Sequence, residues 1–188
     1  THGCLVNLVD NSPDALDRSK FNLHSVFDRL MAKGKVSKVD SNNILSKIKW
    51  TNEMKDIAES ELVIEAVVED MIIKQQLFST IESLVSNNCI IATNTSSLSV
   101  TEIASICSNS SRVLGIHFFN PVPLMNLVEI IPIEQTNTNL VDGVKSTLIS
   151  WEKTVVTAKD TPGFIVNRVA RPYYSEALKI YDEGIADF

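Results

Sequence analysis

Leu62-Val-Ile-Glu-Ala-Val-Val68, followed by Ile73, Leu77, Ile81 and Leu84 at helical spacing and then by Cys89-Ile-Ile-Ala-Thr93, decides the fold class of this chain. Two near-continuous apolar runs suit strands buried on both faces, and the amphipathic stretch between them is the crossover that parallel neighbours require. Asn87-Asn88 ends that helix.

The same alternation continues outward in both directions. Toward the N-terminus, Cys4-Leu-Val-Asn-Leu-Val-Asp10 is a short apolar run ending in an acid. Ser12 and Pro13 then supply an N-cap and a first-turn proline. Leu16, Leu23, Phe27 and Leu30 carry the resulting helix for about five turns, until Lys33-Gly34 offers a left-handed cap. Ile48 to Thr51 is a further strand. Toward the C-terminus come a short helix over Val100 to Ile106 and strands at Val113-Leu-Gly-Ile-His117 and Leu127-Val-Glu-Ile-Ile131, separated by Pro121 and Pro123. Val141, Val144, Leu148 and Trp151 mark another helix, Thr154 to Ala158 a last strand, and Thr161-Pro162 the cap of a final helix running toward Asp187 and interrupted at Pro172. This is an α/β pattern, Rossmann-like and doubly wound, with a mainly parallel sheet. Loss of the alternation near Pro162 predicts a boundary between a domain over 1–160 and the start of an all-helical second domain over 161–188.

Composition excludes several function classes. The chain has 188 residues, 44% apolar and 21% charged, enough for one well-packed domain and the start of another. A net charge of −6 with no Lys/Arg run leaves no electrostatic footprint for nucleic acid. No apolar stretch approaches the roughly 20 residues needed to span a bilayer. No secretory signal opens the chain, so a soluble protein without membrane association is expected. Cys4, Cys89 and Cys107 lack CxxC spacing, which favours free thiols in a reducing compartment and no metal site. The cytoplasm, or alternatively the mitochondrial matrix, is the expected location. Both ends, at Thr1 and Phe188, read as cuts through structure.

Ligands of open parallel sheets bind beyond the carboxyl ends of the strands. The polar groups there are Asp10, Glu69 with Asp70, Asn94-Thr-Ser-Ser97, and His117 with Asn120. Asp10 is either a turn acid or the acid that accepts the adenosine ribose hydroxyls at the end of a second Rossmann strand. With only nine residues ahead of it, the glycine-rich loop cannot lie within this chain, and none of the six glycines forms a GxG. Glu129 lies in an apolar strand, where an unpaired carboxylate is costly to bury, and His117 is the nearest partner. A carboxylate on the imidazole fixes its tautomer and orients it as a general base. Asn94, Ser96 and Asn167 add uncharged hydrogen-bond groups, suited to an alcohol that becomes a carbonyl. Each has a plain alternative, as a capping cluster or a solvent-facing helix residue.

The segments Leu62–Glu69, Asn94-Thr-Ser-Ser-Leu98, Gly115-Ile-His-Phe-Phe-Asn-Pro-Val-Pro123, Leu127-Val-Glu-Ile130 and Asp160-Thr-Pro-Gly-Phe-Ile-Val-Asn-Arg168 resemble the 3-hydroxyacyl-CoA dehydrogenase family in order and spacing. The resemblance implies NAD as cofactor, a 3-hydroxyacyl-CoA as substrate and a homodimer in the full-length protein. It implies His117 as catalytic base and Glu129 as its partner, with Ser96 and Asn167 at the reacting oxygen. Asp10 would hold the adenosine ribose, Glu69, Lys74, Asn94 and Ser96 would line the nicotinamide side, and Asn120 would sit beside the reacting centre. Asn167-Arg-Val-Ala-Arg-Pro-Tyr-Tyr174 looks more like relatives acting on 3-hydroxyadipyl-CoA than like the fatty-acid branch. The family pattern also has a strand and glycine-rich loop before Thr1, so these residues alone are expected to be inactive. The competing expectation is a non-catalytic, crystallin-like scaffold of the same family, which would not need to keep His117, Glu129, Ser96 and Asn167 together.

Overall fold

The computed structural model describes residues 2–187, which divide into two units, one ending at Glu59 and one beginning at Ser60. In the first unit β1 (Val6–Val9) pairs in parallel with β2 (Ile48–Thr51), Val6 opposite Ile48. Between them run α1 (Pro13–Ala32) and α2 (Lys38–Leu45). Ser12 caps α1 by accepting the N–H of Ala15, as its Ser-Pro start implies, and Gly34 takes φ +65° just beyond the last turn. Hydrophobic periodicity does not reveal α2, because its apolar residues, Val39, Ile44 and Leu45, are few and Val39 is exposed. Its start is nevertheless a local capping arrangement, in which the Ser37 hydroxyl accepts the N–H of Asp40 and donates to the Asp40 carboxylate.

The second unit is built on a five-stranded sheet in sequential order: β3 (Leu62–Glu65), β4 (Ile90–Thr93), β5 (Val113–Phe118), β6 (Leu127–Pro132) and β7 (Thr154–Thr157). Its helices are α3 (Met71–Leu84), α4 (Val100–Ala104), α5 (Thr138–Ser150) and α6 (Val166–Asp182). The mainly parallel, Rossmann-like character holds for β3–β4, β4–β5 and β6–β7, whereas β5 and β6 are antiparallel. The connection from Phe118 to Leu127 is too short for a crossover helix, which physically forces that reversal.

Alternation along β5 and β6 separates two faces. Leu114, Ile116, Val128 and Ile130 join Ala92 in a core covered by Val141, Val144 and Leu148 of α5. On the opposite face lie Gly115, His117, Glu129 and Ile131. A Cβ on Gly115 would stand 3.0 Å from both Ile131 Cβ and Val100 Cγ2, so glycine is what lets α4 approach this face of the sheet.

Three local expectations are corrected. α6 begins at Val166 rather than at Thr161-Pro162, and it continues through Pro172 without interruption. The buried positions of α3 are Lys74, Phe78 and Ile81, while Ile73 is 45% exposed. Apolar periodicity does not register a buried cation, and the slot at 74 belongs to a lysine. Among the described residues no helix is long and apolar enough to cross a membrane.

Candidate active site

Register brings His117 and Glu129 together. The antiparallel ladder sets His117 of β5 directly opposite Glu129 of β6, on one face of the sheet. Their side chains meet with Nδ1 to Oε2 at 2.7 Å, in a setting where Glu129 is fully buried and His117 is 5% exposed. The imidazole is held on its sides by Phe119, with ring centroids 4.5 Å apart, and by Phe164 at 5.6 Å.

Glu129 has a second task that no local sequence window displays. Its Oε1 accepts the backbone N–H groups of Ile165 and Val166, each at 3.0 Å. These groups open α6, where N–H donors lack intrahelical partners and the helix dipole favours a negative charge. One carboxylate thus caps α6 with one oxygen and orients His117 with the other. Because Oε1 is occupied by two donors and a carboxylate only accepts, the bond at Oε2 requires the proton on His117 Nδ1. The lone pair of Nε2 is left available as a base.

Capping by Glu129 also fixes Asn167, the second residue of α6, whose Nδ2 donates to the carbonyl of Ser96 at 3.3 Å. Ser96 lies in the loop after β4. There Asn94 Oδ1 accepts the N–H of Phe118, adjacent to His117, at 2.8 Å. Ser96, Asn94 and Asn167 are therefore linked to the His117–Glu129 pair through short, named contacts.

Glu69 approaches the same loop from the end of β3. Its Oε1 accepts from Thr95 Oγ1 at 2.6 Å, Ser96 N at 3.0 Å, Ser97 Oγ at 2.9 Å and Ser97 N at 3.2 Å. Partial burial works against ionisation of this carboxyl. The Thr95 hydroxyl, the Ser96 N–H, the Ser97 hydroxyl and the charge of Lys74 outweigh it, and the pKa falls from 4.5 to about 2. Asp160 is similarly held below its ordinary value. Burial opposes its charge, while Thr101, Ser99 and the Val100 N–H hydrogen-bond the carboxylate at the start of α4.

The sign of the resulting pH dependence follows directly. Both carboxyls have folded pKa values below their unfolded ones, so their stabilisation is complete above the unfolded values and lost as pH falls through the folded ones. For Glu69 that window runs from 4.5 down to about 2. Urea midpoints are expected to fall steeply there, with a shallower slope in Glu69→Gln. Equal slopes in the two proteins would refute the assignment to Glu69.

Lys74 is only 1% exposed. Its Nζ lies 2.6 Å from Glu65 Oε1 and 3.4 Å from Glu69 Oε2. Glu65, Thr93, Asp160 and Phe164 are given their place in the site by the structure, whereas Thr95 belongs to the polar cluster that the sequence already marks at the end of β4. Glu65 does carry a sequence signal, an acid inside an apolar run nine residues before a lysine. Asp10 closes β1 in the first unit, where its Oδ1 accepts the N–H of Ser12 at 2.8 Å. Asn120 is exposed just beyond β5. Among the described residues no group of three or more His, Cys, Asp or Glu side chains is placed to hold a metal ion.

The acceptor chemistry fits a dinucleotide. Glu69 Oε2 meets the Lys74 ammonium at 3.4 Å, on a side chain 36% exposed. Asp10 has a second carboxylate oxygen beyond the one used by Ser12. Amide N–H and ribose hydroxyl donors suit such oxygens.

Known proteins similar to this chain point to one family. A family model described as 3-hydroxyacyl-CoA dehydrogenase, NAD binding domain, matches residues 1–161. The chain is 41% identical over 181 residues to a 3-hydroxybutyryl-CoA dehydrogenase of Clostridioides difficile, an alignment covering 96% of this chain and 64% of that protein. It is 38% identical over 186 residues to a 3-hydroxyadipyl-CoA dehydrogenase of Escherichia coli K12, covering 99% of this chain and 39% of the relative. The solved structure of a (S)-3-hydroxybutyryl-CoA dehydrogenase from Ralstonia eutropha superposes with a TM-score of 0.95 at 37% identity, over 99% of this chain and 66% of that one. The chain thus spans less than two thirds of the length of both sequence relatives.

Proposed function

The chain belongs to the 3-hydroxyacyl-CoA dehydrogenase family, and on that premise we propose that it serves the NAD-dependent oxidation of the C3 hydroxyl of a 3-hydroxyacyl-CoA to the 3-oxoacyl-CoA. The observation that carries this reading is the buried 2.7 Å bond between His117 Nδ1 and Glu129 Oε2, which leaves His117 Nε2 as the base. His117 takes the hydroxyl proton at Nε2, and Glu129 stabilises the imidazolium so formed; in the reverse direction His117 is the acid. Ser96 and Asn167 hydrogen-bond the reacting oxygen without adding a full charge to a group that is neutral as alcohol and as carbonyl. When bound, NAD accepts the hydride that leaves C3. Asp10, Glu69, Lys74, Asn94, Ser96 and Asn120 are the residues assigned to hold it.

The substrate reading extends to short acyl groups and to those with a distal carboxylate, supported by the relatives named for 3-hydroxybutyryl-CoA and 3-hydroxyadipyl-CoA. A reducing, cytoplasmic setting is supported by the free thiols of Cys4, Cys89 and Cys107. Homodimerisation is supported by the apolar side chains that α6 leaves exposed, Val169, Tyr173, Tyr174 and Leu178 among them.

The test is NADH formation from 3-hydroxybutyryl-CoA and 3-hydroxyadipyl-CoA by the full-length protein that carries these residues, monitored by NADH absorbance in the same preparation that is checked for NAD binding. Turnover of either thioester supports the dehydrogenase, and the rate ratio names the preferred acyl group. A folded, NAD-binding protein that is silent with both would favour the non-catalytic scaffold.

A further inference from the structure

We propose that Phe164 is a positioning residue for the base: its backbone is held in a left-handed turn so that its ring, together with Phe119, fixes the plane of the His117 imidazole. The inference rests on the dehydrogenase reading for its consequence in turnover, but its structural part stands on the geometry alone.

Phe164 has φ +48° and follows Gly163 at φ +77°. A left-handed glycine is ordinary, whereas a bulky L-residue in that region crowds its Cβ against the backbone. Such strain persists only where the surroundings over-determine it. Here they do so from both sides. Upstream, Asp160 accepts from Ser99 Oγ, Val100 N, Thr101 N and Thr101 Oγ1, which pins the start of the turn to α4. Downstream, Glu129 Oε1 accepts the N–H groups of Ile165 and Val166. Within the turn the Phe164 N–H donates to Thr161 O at 2.9 Å, and the Arg168 N–H donates to Gly163 O at 3.0 Å.

Thr161-Pro162 has the chemistry to open a helix at once, yet α6 waits until Val166. What the delay achieves is the placement of one side chain. Phe164 is 4% exposed and meets the imidazole edge-on, with centroids 5.6 Å and planes 61° apart. Phe119 meets the same ring at 4.5 Å and 52°. Both separations are those of favourable aromatic contacts. The bond from Nδ1 to Glu129 fixes one edge of the imidazole. It does not by itself stop the ring from rocking about that bond, and rocking swings Nε2, the atom that takes the proton. Two tilted rings packed against the imidazole restrict the motion, and a reacting group misplaced by about 1 Å can cost roughly 10²-fold. Phe164 acts on turnover through His117.

The alternative is that Phe164 is an apolar filler whose backbone conformation serves nothing else. Phe164→Leu and Phe164→Met separate the two readings in the full-length protein that carries these residues. Both keep an apolar side chain without a ring, and the flexible methionine adapts where leucine does not fit. Turnover of 3-hydroxybutyryl-CoA is measured beside the exchange of the His117 Nδ1 proton with water, followed by NMR. The expected result is a kcat reduced about tenfold while KM for the thioester changes less. The Nδ1 proton is expected to exchange about tenfold faster, with the amides of Ile165 and Val166 keeping their wild-type protection. A filler would lower stability and leave kcat and the Nδ1 proton as they are in the wild type, and that outcome in a folded variant overturns the proposal. Loss of protection at Ile165 and Val166 also overturns it, because the whole turn rather than the ring would then be responsible. So does a wild-type Nδ1 proton on His117 that exchanges as fast as the ring protons of the exposed His24, a result that needs no variant. Absence of turnover in the wild type would instead sink the dehydrogenase reading, and the proton exchange would then decide the ring contact by itself.

Discussion

His117→Gln is expected to lower kcat for oxidation of a 3-hydroxyacyl-CoA by about 10²–10⁴-fold, the usual contribution of a positioned general base. The glutamine amide can donate to Glu129 Oε2, so the buried carboxylate keeps a partner where the wild type has its 2.7 Å bond. It offers no lone pair able to take a proton at neutral pH. Binding of the thioester depends on other groups, so KM is expected to change far less than kcat. Steady-state NADH formation checks the first part, and a urea-unfolding stability within about 1 kcal/mol of wild type checks that the fold is intact. A kcat within a fewfold of wild type would remove His117 as the base, whatever the family resemblance says.

The parts of the fold legible in the sequence are those in which burial is continuous. Leu62–Glu65 and Ile90–Thr93 are strands inside apolar runs that leave little choice of secondary structure. Proximity of His117 and Glu129 is legible for a related reason, since an acid inside an apolar strand must find a partner and only one titratable group lies nearby. Three features are hidden because they are not local. Thr161-Pro162 has the chemistry of a helix start, yet the donors at 165 and 166 are satisfied by Glu129, 36 and 37 residues earlier in the chain. The stripe on α3 is displaced because a buried ion pair occupies a slot that hydrophobic periodicity reserves for an apolar side chain. The helix Lys38–Leu45 is short and its one buried residue is Ser41 rather than an apolar side chain, so its Ser37–Asp40 cap is the clearest local signal. The antiparallel turn of β6 is, by contrast, available from loop length. The eight residues between Phe118 and Leu127 cannot hold the crossover that a parallel neighbour needs.

Glu129 separates orientation from stability, and two substitutions are expected to divide its roles. In Glu129→Gln the side chain has one carbonyl oxygen and one NH₂ group for three donors: Ile165 N–H, Val166 N–H and His117 Nδ1–H. The two backbone donors cannot be reversed, whereas the imidazole can change tautomer. The amide oxygen is therefore expected to stay on α6 and the NH₂ group to face Nδ1, which must then accept. That places the imidazole proton on Nε2, where the base is needed. Activity is expected to fall by about 10⁴-fold, the scale known for neutralising the carboxylate that orients a catalytic histidine, with stability reduced only modestly. Glu129→Ala removes all three bonds from a fully buried site and uncaps α6, so a loss of about 3–5 kcal/mol is expected. For a chain of this size that corresponds to a Tm lower by roughly 6–20 °C. Thermal unfolding and ¹⁵N spectra of the histidine ring distinguish the two outcomes. If Glu129→Gln keeps the proton on Nδ1 and still loses activity, the tautomer argument fails and the negative charge itself becomes the essential contribution. If Glu129→Ala is as stable as wild type, the cap on α6 carries no energetic weight.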